Sequence, residues 1–421
     1  MNDFENDLDA SLLSDRVALV TMSPTIAISQ LAASLKRTGQ DILSLAIGEP
    51  DFDTPAPIID AAQRAAEAGF TRYTAADGDI VIKSAVCRKY KYENGMEFTP
   101  DEVHVSGGCK QVISNAFAAT LNPGDEVILL SPYWVSYLDV VEYLGGKAVI
   151  VPCEEAAGFL PNIDQLRNAL GPKTKWVVVN SPNNPTGAVY PPEVLRQIGT
   201  LVAQESRSLI LFDEIYEHLL FDDCVHVSLL AAAPELRCRT LTVNGVSKTF
   251  AMTGWRLGYG VGPAWLIEAM ARVQSQLAGN CSSISQAAAA FALDHGQQLV
   301  APWRAIMQER RDTLCDVLNR NGSLNCSRPG GAFYVFADVS RYFGTRSGDG
   351  DLVQSDRDMA TYLLSKARVA VVPGSAFGCP THIRLSFTVP TTSLKIGVTR
   401  ICDALAQLVS ASPSHQTADW Q

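Results

Sequence analysis

Five short apolar runs, each continuous rather than alternating, constrain the fold of this chain more than any other feature of its sequence. They read EVILL (126–130), KAVIV (147–151), TKWVVV (174–179), SLILF (208–212) and RTLTV (239–243). A strand buried on both faces is continuously apolar, whereas a strand with one face in water alternates. Helical patterns lie between the runs, for example at 191–205 and 264–277. The sequence therefore predicts an α/β fold with a largely parallel central sheet.

The remaining segments predict how the chain divides into domains. A polar stretch at 341–356 is typical of a surface loop, and helical and strand patterns on either side of it indicate a smaller second domain. The predicted parts are a disordered N-terminal tail (1–13), a segment packing with the small domain (14–55), a large domain (56–300), a small C-terminal domain (301–410) and a disordered C-terminal tail (411–421).

Composition and charge exclude several classes of protein. The net charge of −10 and the pI near 5.2 argue against a nucleic-acid partner, which requires basic patches. No apolar run approaches the roughly 18 residues of a membrane span, and the first residues lack the features of a secretory signal. The ten cysteines form no CxxC pair, and the six histidines form no HExxH pattern. We therefore expect a cytoplasmic protein with reduced thiols, no membrane partner and no metal.

Three of the predicted strands end in polar residues that a buried sheet does not need. TKWVVV is followed by NSPNNPTG (180–187), SLILF by DEIYEH (213–218), and RTLTV by NGVSKTFAMTGWRLGY (244–259). Because the ligands of parallel sheets bind at the carboxyl ends of the strands, we expect these three segments to meet at one site.

The residue types in these segments favour chemistry on a pyridine ring. Lys248 lies where its amine would be partly desolvated, which suits a Schiff-base lysine, although an ordinary solvated lysine is the alternative. Asp213 follows a buried run and needs a donor or a cation, and a pyridinium nitrogen would supply one; a helix-capping aspartate is the alternative. Tyr216 and Asn184 are placed to reach the phenolic oxygen of such a ring, although a rigid turn alone would also explain the Asn184 loop.

A phosphate site is predicted where a glycine-rich turn precedes a helix. Gly108 and Cys109 lie just before a helical pattern at 110–121, so their backbone N–H groups can approach an anion. Arg256 offers a planar guanidinium fork, and Ser247 offers a hydroxyl group. The nearby GYGVG (258–262) lacks the spacing of GxGxxG, and we reject a dinucleotide site there.

These motifs together resemble the class I aminotransferases of pyridoxal phosphate (PLP) fold type I, and most closely the bacterial aspartate aminotransferase-like branch. The resemblance runs from about residue 14 to residue 408 and also includes AIGEPDFDTP (46–55), RYT (72–74) and SPYWVSY (131–137). It implies a large PLP-binding domain with a mostly parallel central sheet flanked by helices, and a smaller α+β domain. It also implies pyridoxal 5'-phosphate as the cofactor.

The resemblance assigns roles around the cofactor. Lys248 would hold PLP as a Schiff base and shuttle a proton, and Asp213 would keep the pyridine nitrogen protonated. Tyr216 and Asn184 would bind the phenolic oxygen. The residues that would bind the phosphate are Gly108, Cys109, Ser247, Arg256 and, from the partner subunit, Tyr73, which implies a homodimer with shared active sites.

Substrate contacts are implied less completely. Trp134 would stack on the ring, and it and Asn184 would also contact the substrate, while Arg384 with Gly48 beside it would bind the α-carboxylate. Some aspartate-specific relatives hold the distal carboxylate with an arginine near 274–286, but this stretch contains none. Lys110 is the nearest spare cation, and an exposed first-turn lysine is the alternative. Asn280-Cys281 replaces a frequent Asn-Pro, and neither Cys281 nor Asp79 has an explanation from the sequence.

The predicted function is transfer of an amino group between an L-amino acid, first aspartate or glutamate, and a 2-oxo acid such as 2-oxoglutarate by a ping-pong mechanism. The alternatives are an aromatic or prephenate-type aminotransferase and a PLP enzyme of specialised metabolism with lyase, cyclase or oxidase-type chemistry. A non-catalytic relative is disfavoured because the lysine, the aspartate and both arginines are all present.

Overall fold

The computed structural model describes residues 13–320 and 322–410. These residues form two compact units. The first contains 13–23, Glu49–Gln308 and Pro329–Phe333, and the second contains Pro24–Gly48, Glu309–Arg328 and 334–410. The predicted tails at 1–13 and 411–421 lie outside the described residues except for Leu13. Compactness alone does not define an independently folding domain, so the predicted domain boundaries stay predictions.

The described residues form fourteen α-helices and fifteen β-strands. The helices are α1 (Asp15–Ala18), α2 (Pro24–Arg37), α3 (Ala56–Glu67), α4 (Ile80–Glu93), α5 (Cys109–Thr120), α6 (Ser136–Tyr143), α7 (Ile163–Ala169), α8 (Pro192–Glu205), α9 (Leu229–Ala232), α10 (Ala264–Leu277), α11 (Ser283–His295), α12 (Gln297–Arg320), α13 (Asp356–Tyr362) and α14 (Thr391–Leu405). The strands are β1 (Leu43–Ser44), β2 (Val103–Ser106), β3 (Glu126–Ser131), β4 (Lys147–Pro152), β5 (Thr174–Asn180), β6 (Leu209–Asp213), β7 (Thr240–Gly245), β8 (Gly258–Val261), β9 (Tyr334–Asp338), β10 (Thr345–Arg346), β11 (Leu352–Val353), β12 (Val369–Ala370), β13 (Val372–Pro373), β14 (His382–Ser386) and β15 (Val409–Ser410).

The first unit is built on a seven-stranded sheet in the order β2-β8-β7-β6-β5-β3-β4. Strands β4, β3, β5, β6 and β7 run parallel, while β8 is antiparallel to both of its neighbours. All five apolar runs of the sequence form strands of this sheet. The predicted α/β fold with a mostly parallel central sheet is confirmed.

The two faces of the sheet are buried against different helices, which explains why the apolar runs do not alternate. On β5, Val177 and Val179 belong to a core with residues of α3, α4, α8 and α11. Trp176 and Val178 point the other way, into a core with residues of α5, α6 and α10. Because residues 176–179 are buried on both faces of the sheet, all four are apolar.

The second unit has its own small sheet in the order β13-β14-β9, which is antiparallel throughout. The polar stretch at 341–356 contains the short antiparallel pair β10 and β11. Among the described residues, no helix combines the length and the apolar composition that crossing a membrane requires.

Candidate active site

Three neighbouring parallel strands, β5, β6 and β7, bring predicted site residues together at their carboxyl-terminal ends. Asn180 at the end of β5 pairs with Asp213 at the end of β6, and Asp213 pairs with Val243 near the end of β7. Lys248 lies in the turn that follows β7. The strand order therefore assembles residues that are far apart in the sequence.

Asp213 is a buried carboxylate, with 4% of its surface exposed. Its Oδ2 accepts a hydrogen bond from the Tyr137 hydroxyl at 2.6 Å, and its Oδ1 accepts one from the Ile215 backbone N–H at 3.2 Å. Burial raises the pKa of Asp213 to about 6, although both hydrogen bonds and the cation of Lys248 oppose that rise. Any further cation or hydrogen-bond donor beside this buried carboxylate would stabilise its charged form.

Tyr137 and Asn180 hold Asp213 in place by hydrogen bonds, and no role was predicted for either residue from the sequence. Burial, followed by the negative charge of Asp213, raises the pKa of Tyr137 well above its usual value, so its hydroxyl stays a donor. Asn180 Nδ2 donates to the Asp213 backbone carbonyl at 2.9 Å, and Asn180 Oδ1 accepts from the Asn184 backbone N–H at 2.9 Å. Both residues lie in the polar segments that follow predicted strands, and this position is the one sequence feature that could have indicated their role.

Lys248 and Tyr216 lie against the same aromatic ring. The Tyr216 ring packs edge-on to Phe333 with centroids 5.3 Å apart, and Lys248 Nζ lies 5.9 Å from the Phe333 centroid. Tyr216 is buried and Lys248 is half-buried between the buried Ser247 and Thr249. The amine is therefore partly desolvated, as the sequence predicted, and Phe333 is a neighbour that the sequence did not reveal.

The glycine-rich turn before α5 is held against a guanidinium group. Gly108 precedes the helix with φ +102°, and a Cβ atom there would lie 2.7 Å from Arg256 NH2. Arg256 donates to the Gly107 carbonyl at 3.2 Å and to the Thr253 carbonyl at 2.9 Å. No carboxylate of the described residues pairs with this guanidinium. A helix N-terminus and an arginine without an acidic partner together favour an anion.

Cys109 contributes its backbone rather than its side chain to this turn. The thiol donates a hydrogen bond to the Asn244 carbonyl at 3.1 Å, which directs it away from an incoming anion and toward β7. Burial raises the pKa of the Cys109 thiol well above its usual value. A Cβ atom at Gly258 on β8 would collide with the Cys109 backbone nitrogen, so the strand and the helix N-terminus are in direct contact.

A lysine and a tryptophan pack beside the anion-binding turn. Lys110 Nζ lies 5.2 Å from the ring centroid of Trp134, whose ring in turn packs edge-on to Tyr137 at 5.3 Å. Burial and the positive charge of Arg256 lower the pKa of Lys110, while Asp139 opposes that change. As a residue Lys110 is exposed, like an ordinary first-turn lysine, and its ammonium group lies over the Trp134 ring.

Tyr73 lies apart from these residues within the described chain. Its side chain is 97% exposed, and no hydrogen bond, ion pair or ring contact joins it to another described residue. The segment that carries it is nevertheless fixed, because Gln286 accepts from the Asp79 N–H at 2.7 Å and donates to Thr74 Oγ1 at 3.1 Å. Tyr73 is therefore presented outward on a well-held loop.

The structure explains Asp79 and Cys281. Asp79 is the N-cap of α4, and its Oδ1 accepts from the Val81 N–H at 2.9 Å. The Cys281 carbonyl accepts hydrogen bonds from Gln286 Nε2 at 2.9 Å and Asn280 Nδ2 at 2.8 Å, so its backbone supports the same glutamine.

Arg384 and Gly48 belong to the second unit, where they share one tyrosine. Arg384 is 2% exposed, and its guanidinium donates to the Ala46 carbonyl at 2.7 Å and lies 4.3 Å from the Tyr334 ring centroid. A Cβ atom at Gly48 would collide with the Tyr334 hydroxyl group. The buried guanidinium is held on an aromatic surface that fixes the plane of its fork.

A mostly parallel seven-stranded sheet with an aspartate at the end of β6 and a lysine after β7 defines the class of enzyme. The family model described as aminotransferase class I and II matches residues 40–401, and the chain belongs to this family. The predicted PLP-dependent aminotransferase of fold type I is confirmed, and the family implies pyridoxal phosphate as cofactor.

Several named enzymes are similar to this chain over nearly its whole length. An aspartate/prephenate aminotransferase of Cereibacter sphaeroides is 44% identical over 391 residues, which are 93% of this chain and 98% of the relative. One of Nitrosomonas europaea is 44% identical and covers 94% of this chain and 100% of the relative. The crystal structure of an aspartate aminotransferase from Rhizobium meliloti matches with a TM-score of 0.91 at 42% identity, over 94% of this chain and 99% of that one. The predicted aspartate aminotransferase-like branch is confirmed.

Proposed function

We propose that this aminotransferase exchanges the amino group of aspartate or glutamate with a 2-oxo acid such as 2-oxoglutarate, using PLP held at the edge of the sheet formed by β5, β6 and β7. The observation that carries the proposal is the buried Asp213 carboxylate at the same edge as the half-buried Lys248. The names of the relatives support an acidic amino donor.

The residues of the site fit PLP at both ends of the molecule. Asp213 is a buried carboxylate without a cation in ion-pair contact among the described residues, which suits a protonated ring nitrogen. Arg256 and the N-terminus of α5 form an anion site, which suits a phosphate. We assign the phosphate to the N–H groups of Gly108 and Cys109, the Ser247 hydroxyl group and Arg256.

The remaining site residues act on the reacting atoms. PLP, when bound, supplies an electron sink for the bond that breaks at the substrate Cα. We assign the Lys248 amine as the base that takes the Cα proton and holds it for return. The Tyr216 hydroxyl group and the Asn184 amide would donate to the phenolic oxygen, and Tyr137 keeps the Asp213 carboxylate ionised and oriented.

Substrate carboxylates have two candidate partners. We assign the α-carboxylate to Arg384, whose fork is fixed by Tyr334, with the Gly48 backbone beside it. We assign the distal carboxylate of an acidic substrate to Lys110, which lies over Trp134. This cation beside an aromatic face also suits an acid that carries a ring. An aromatic or prephenate-type aminotransferase is therefore the second candidate.

The outward presentation of Tyr73 supports a homodimer in which this residue reaches the phosphate of the partner subunit. An exposed tyrosine on a loop held by Gln286 is a poor arrangement for a monomer and a suitable one for a shared site. We also propose a cytoplasmic location, where its ten cysteines would remain reduced.

Two measurements test the proposal. Borohydride reduction of the PLP-loaded enzyme followed by peptide mapping should place a pyridoxyl group on Lys248, and a group on another lysine would contradict the site. A half-reaction screen across the common amino acids, followed by loss of the bound cofactor's absorption band, should show aspartate and glutamate reacting fastest. Oxygen consumption, or 2-oxo acid formed without an amino-acid product, would instead indicate the specialised PLP chemistry.

A further inference from the structure

A cysteine and a histidine that the aminotransferase reaction does not use are held together in the second unit. They lie at the two ends of a tight loop that leads into β14. Cys379 Sγ lies 3.3 Å from His382 Nδ1, and Thr381 Oγ1 lies 2.9 Å from the same ring nitrogen. The three side chains form a cluster that we call the Cys379 cluster.

The backbone of the loop enforces this approach. The Cys379 N–H donates to the Gly374 carbonyl at 3.0 Å, and a Cβ atom at Gly374 would collide with the carbonyl oxygens of Cys379 and His382. The Val339 N–H donates to the Thr381 carbonyl at 2.9 Å, which ties the loop to the segment after β9. The thiol and the imidazole are therefore placed by a closed loop and not by chance contact of mobile side chains.

The imidazole ring is fixed from its other face. His382 is buried, and its ring stacks on Phe336 with centroids 4.7 Å apart and an interplanar angle of 14°. Strand pairing holds this arrangement, because His382 pairs with Asp338 on β9. The stacking contact fixes the plane of the imidazole ring, and Nδ1 is the ring nitrogen that faces the thiol.

The cysteine lies nearer the surface than its histidine partner does. Cys379 is half-buried, and its neighbours Gly378, Pro380 and Thr381 are exposed. A reactive cysteine requires this combination, because the thiolate is the nucleophile and an adjacent imidazole can take the thiol proton.

We propose that Cys379 is a reactive thiol that is modified by low-molecular-weight disulfides. His382 Nδ1 takes the proton of the thiol, and the resulting thiolate attacks one sulfur of the disulfide. A bond forms between Cys379 Sγ and that sulfur, the disulfide bond breaks, and the second sulfur leaves as a thiolate that picks up a proton. The disulfide is the oxidant, and the product is a mixed disulfide on Cys379.

The other cysteines provide the comparison within the same molecule. Cys153, Cys315, Cys326 and Cys402 are buried, and the Cys109 thiol is bonded to a carbonyl. Cys238 is exposed, lies between Arg237 and Arg239, and has no histidine partner among the described residues. If access alone controlled the reaction, Cys238 would react before the half-buried Cys379.

The test measures both cysteines at once in the PLP-loaded enzyme. The enzyme is treated with dithiobis(nitrobenzoate) at pH 7 for increasing times, quenched by acid, and mapped by peptide mass spectrometry. Because His382 takes the proton of the Cys379 thiol and Cys238 has no such base beside it, we expect Cys379 to be labelled about tenfold faster than Cys238. Labelling of Cys238 at an equal or higher rate overturns the proposal.

A variant then assigns the effect to the imidazole. His382→Phe keeps an aromatic ring to stack on Phe336 and removes the base, so labelling of Cys379 should fall about tenfold while that of Cys238 stays unchanged. An unchanged Cys379 rate in folded His382→Phe contradicts the assigned base. The comparison of Cys379 with Cys238 in the unmodified enzyme decides the proposal even if this variant does not fold.

Discussion

Asp213 and Glu217 are two buried carboxylates of the same short segment, DEIYEH, and they differ in what compensates their charge. Glu217 forms an ion pair with Lys89 of α4 and accepts a hydrogen bond from Asn244 Nδ2 at 2.6 Å. The Asp213 carboxylate accepts from the Tyr137 hydroxyl group and the Ile215 N–H, and no lysine or arginine of the described residues is in ion-pair contact with it.

The pKa values of the two groups separate in opposite directions. Burial raises the pKa of both carboxyl groups, but at Glu217 the Lys89 ammonium, helped by His218 and His226, brings the pKa well below its usual value. At Asp213 burial prevails, and the pKa rises to about 6. The protein thus supplies the counter-charge at Glu217, whereas at Asp213 the proposed cofactor would supply it.

The largest expected effect is a loss of turnover in the variant Asp213→Asn, which tests the contrast between the two carboxylates. Asparagine keeps the shape but cannot stabilise a protonated ring nitrogen, so kcat/KM should fall by about 100- to 10,000-fold while the fold is kept. Steady-state kinetics and a thermal melt check both parts. Glu217→Gln is the matched control, because the fraction of it that folds should turn over close to the unmodified rate. A similar loss of turnover in both variants would remove the distinction between the two carboxylates.

The next largest effect is on stability in Lys89→Met. Removing the ammonium leaves Glu217 buried without its partner, which should cost about 3–5 kcal/mol of the free energy of unfolding in urea. Lys91→Met on the same helix removes an exposed ion pair with Glu97, and its cost should be a small fraction of that of Lys89→Met. Equal costs for the two lysines would show that Glu217 does not depend on Lys89.

The pH dependence of the cofactor-free protein gives a smaller effect. The folded pKa of Asp213 near 6 lies above that of an unfolded aspartate near 4, so the folded state holds the proton more tightly. The contribution of Asp213 to the free energy of unfolding is fully present below about pH 4. It decreases by about 3 kcal/mol in total as the pH rises through about 6. Asp213→Asn should therefore gain stability relative to the unmodified protein over that interval, measured by urea unfolding at each pH. A constant difference between the two proteins would contradict the raised pKa.

The smallest effect concerns a cation, Lys110, which lies over the Trp134 ring. Lys110→Met removes a charged donor, so KM for aspartate should rise about tenfold while KM for alanine changes little. Lys175→Met is the control, because this lysine pairs with Asp125 at 3.5 Å, away from the site residues on the sheet. An equal rise for both amino acids would mean that Lys110 supports the cofactor site and does not select the substrate.

The sequence predicted the parts of this site that follow from the sheet. Continuous apolar runs fixed the strands, and the polar residues after them, Asp213 and Lys248, lie at one edge as expected. Lys89 was not predicted, because a lysine in a helix is ordinarily solvated, and only the packing of α4 shows that it is buried. Tyr137 was missed for a similar reason, since its bond to Asp213 joins the first turn of α6 to the end of β6, and only the folded chain brings these two places together.

The contact between β8 and the first turn of α5 has a consequence for how such an enzyme can diversify. Because the backbone of Gly258 touches the Cys109 nitrogen, any side chain at that glycine would displace the helix end that is proposed to bind phosphate. Lys110, one position further along, projects toward Trp134 instead. If phosphate binds there as proposed, its anchorage is locked to the scaffold, whereas single substitutions in the adjoining helical turn would change the preference among amino donors.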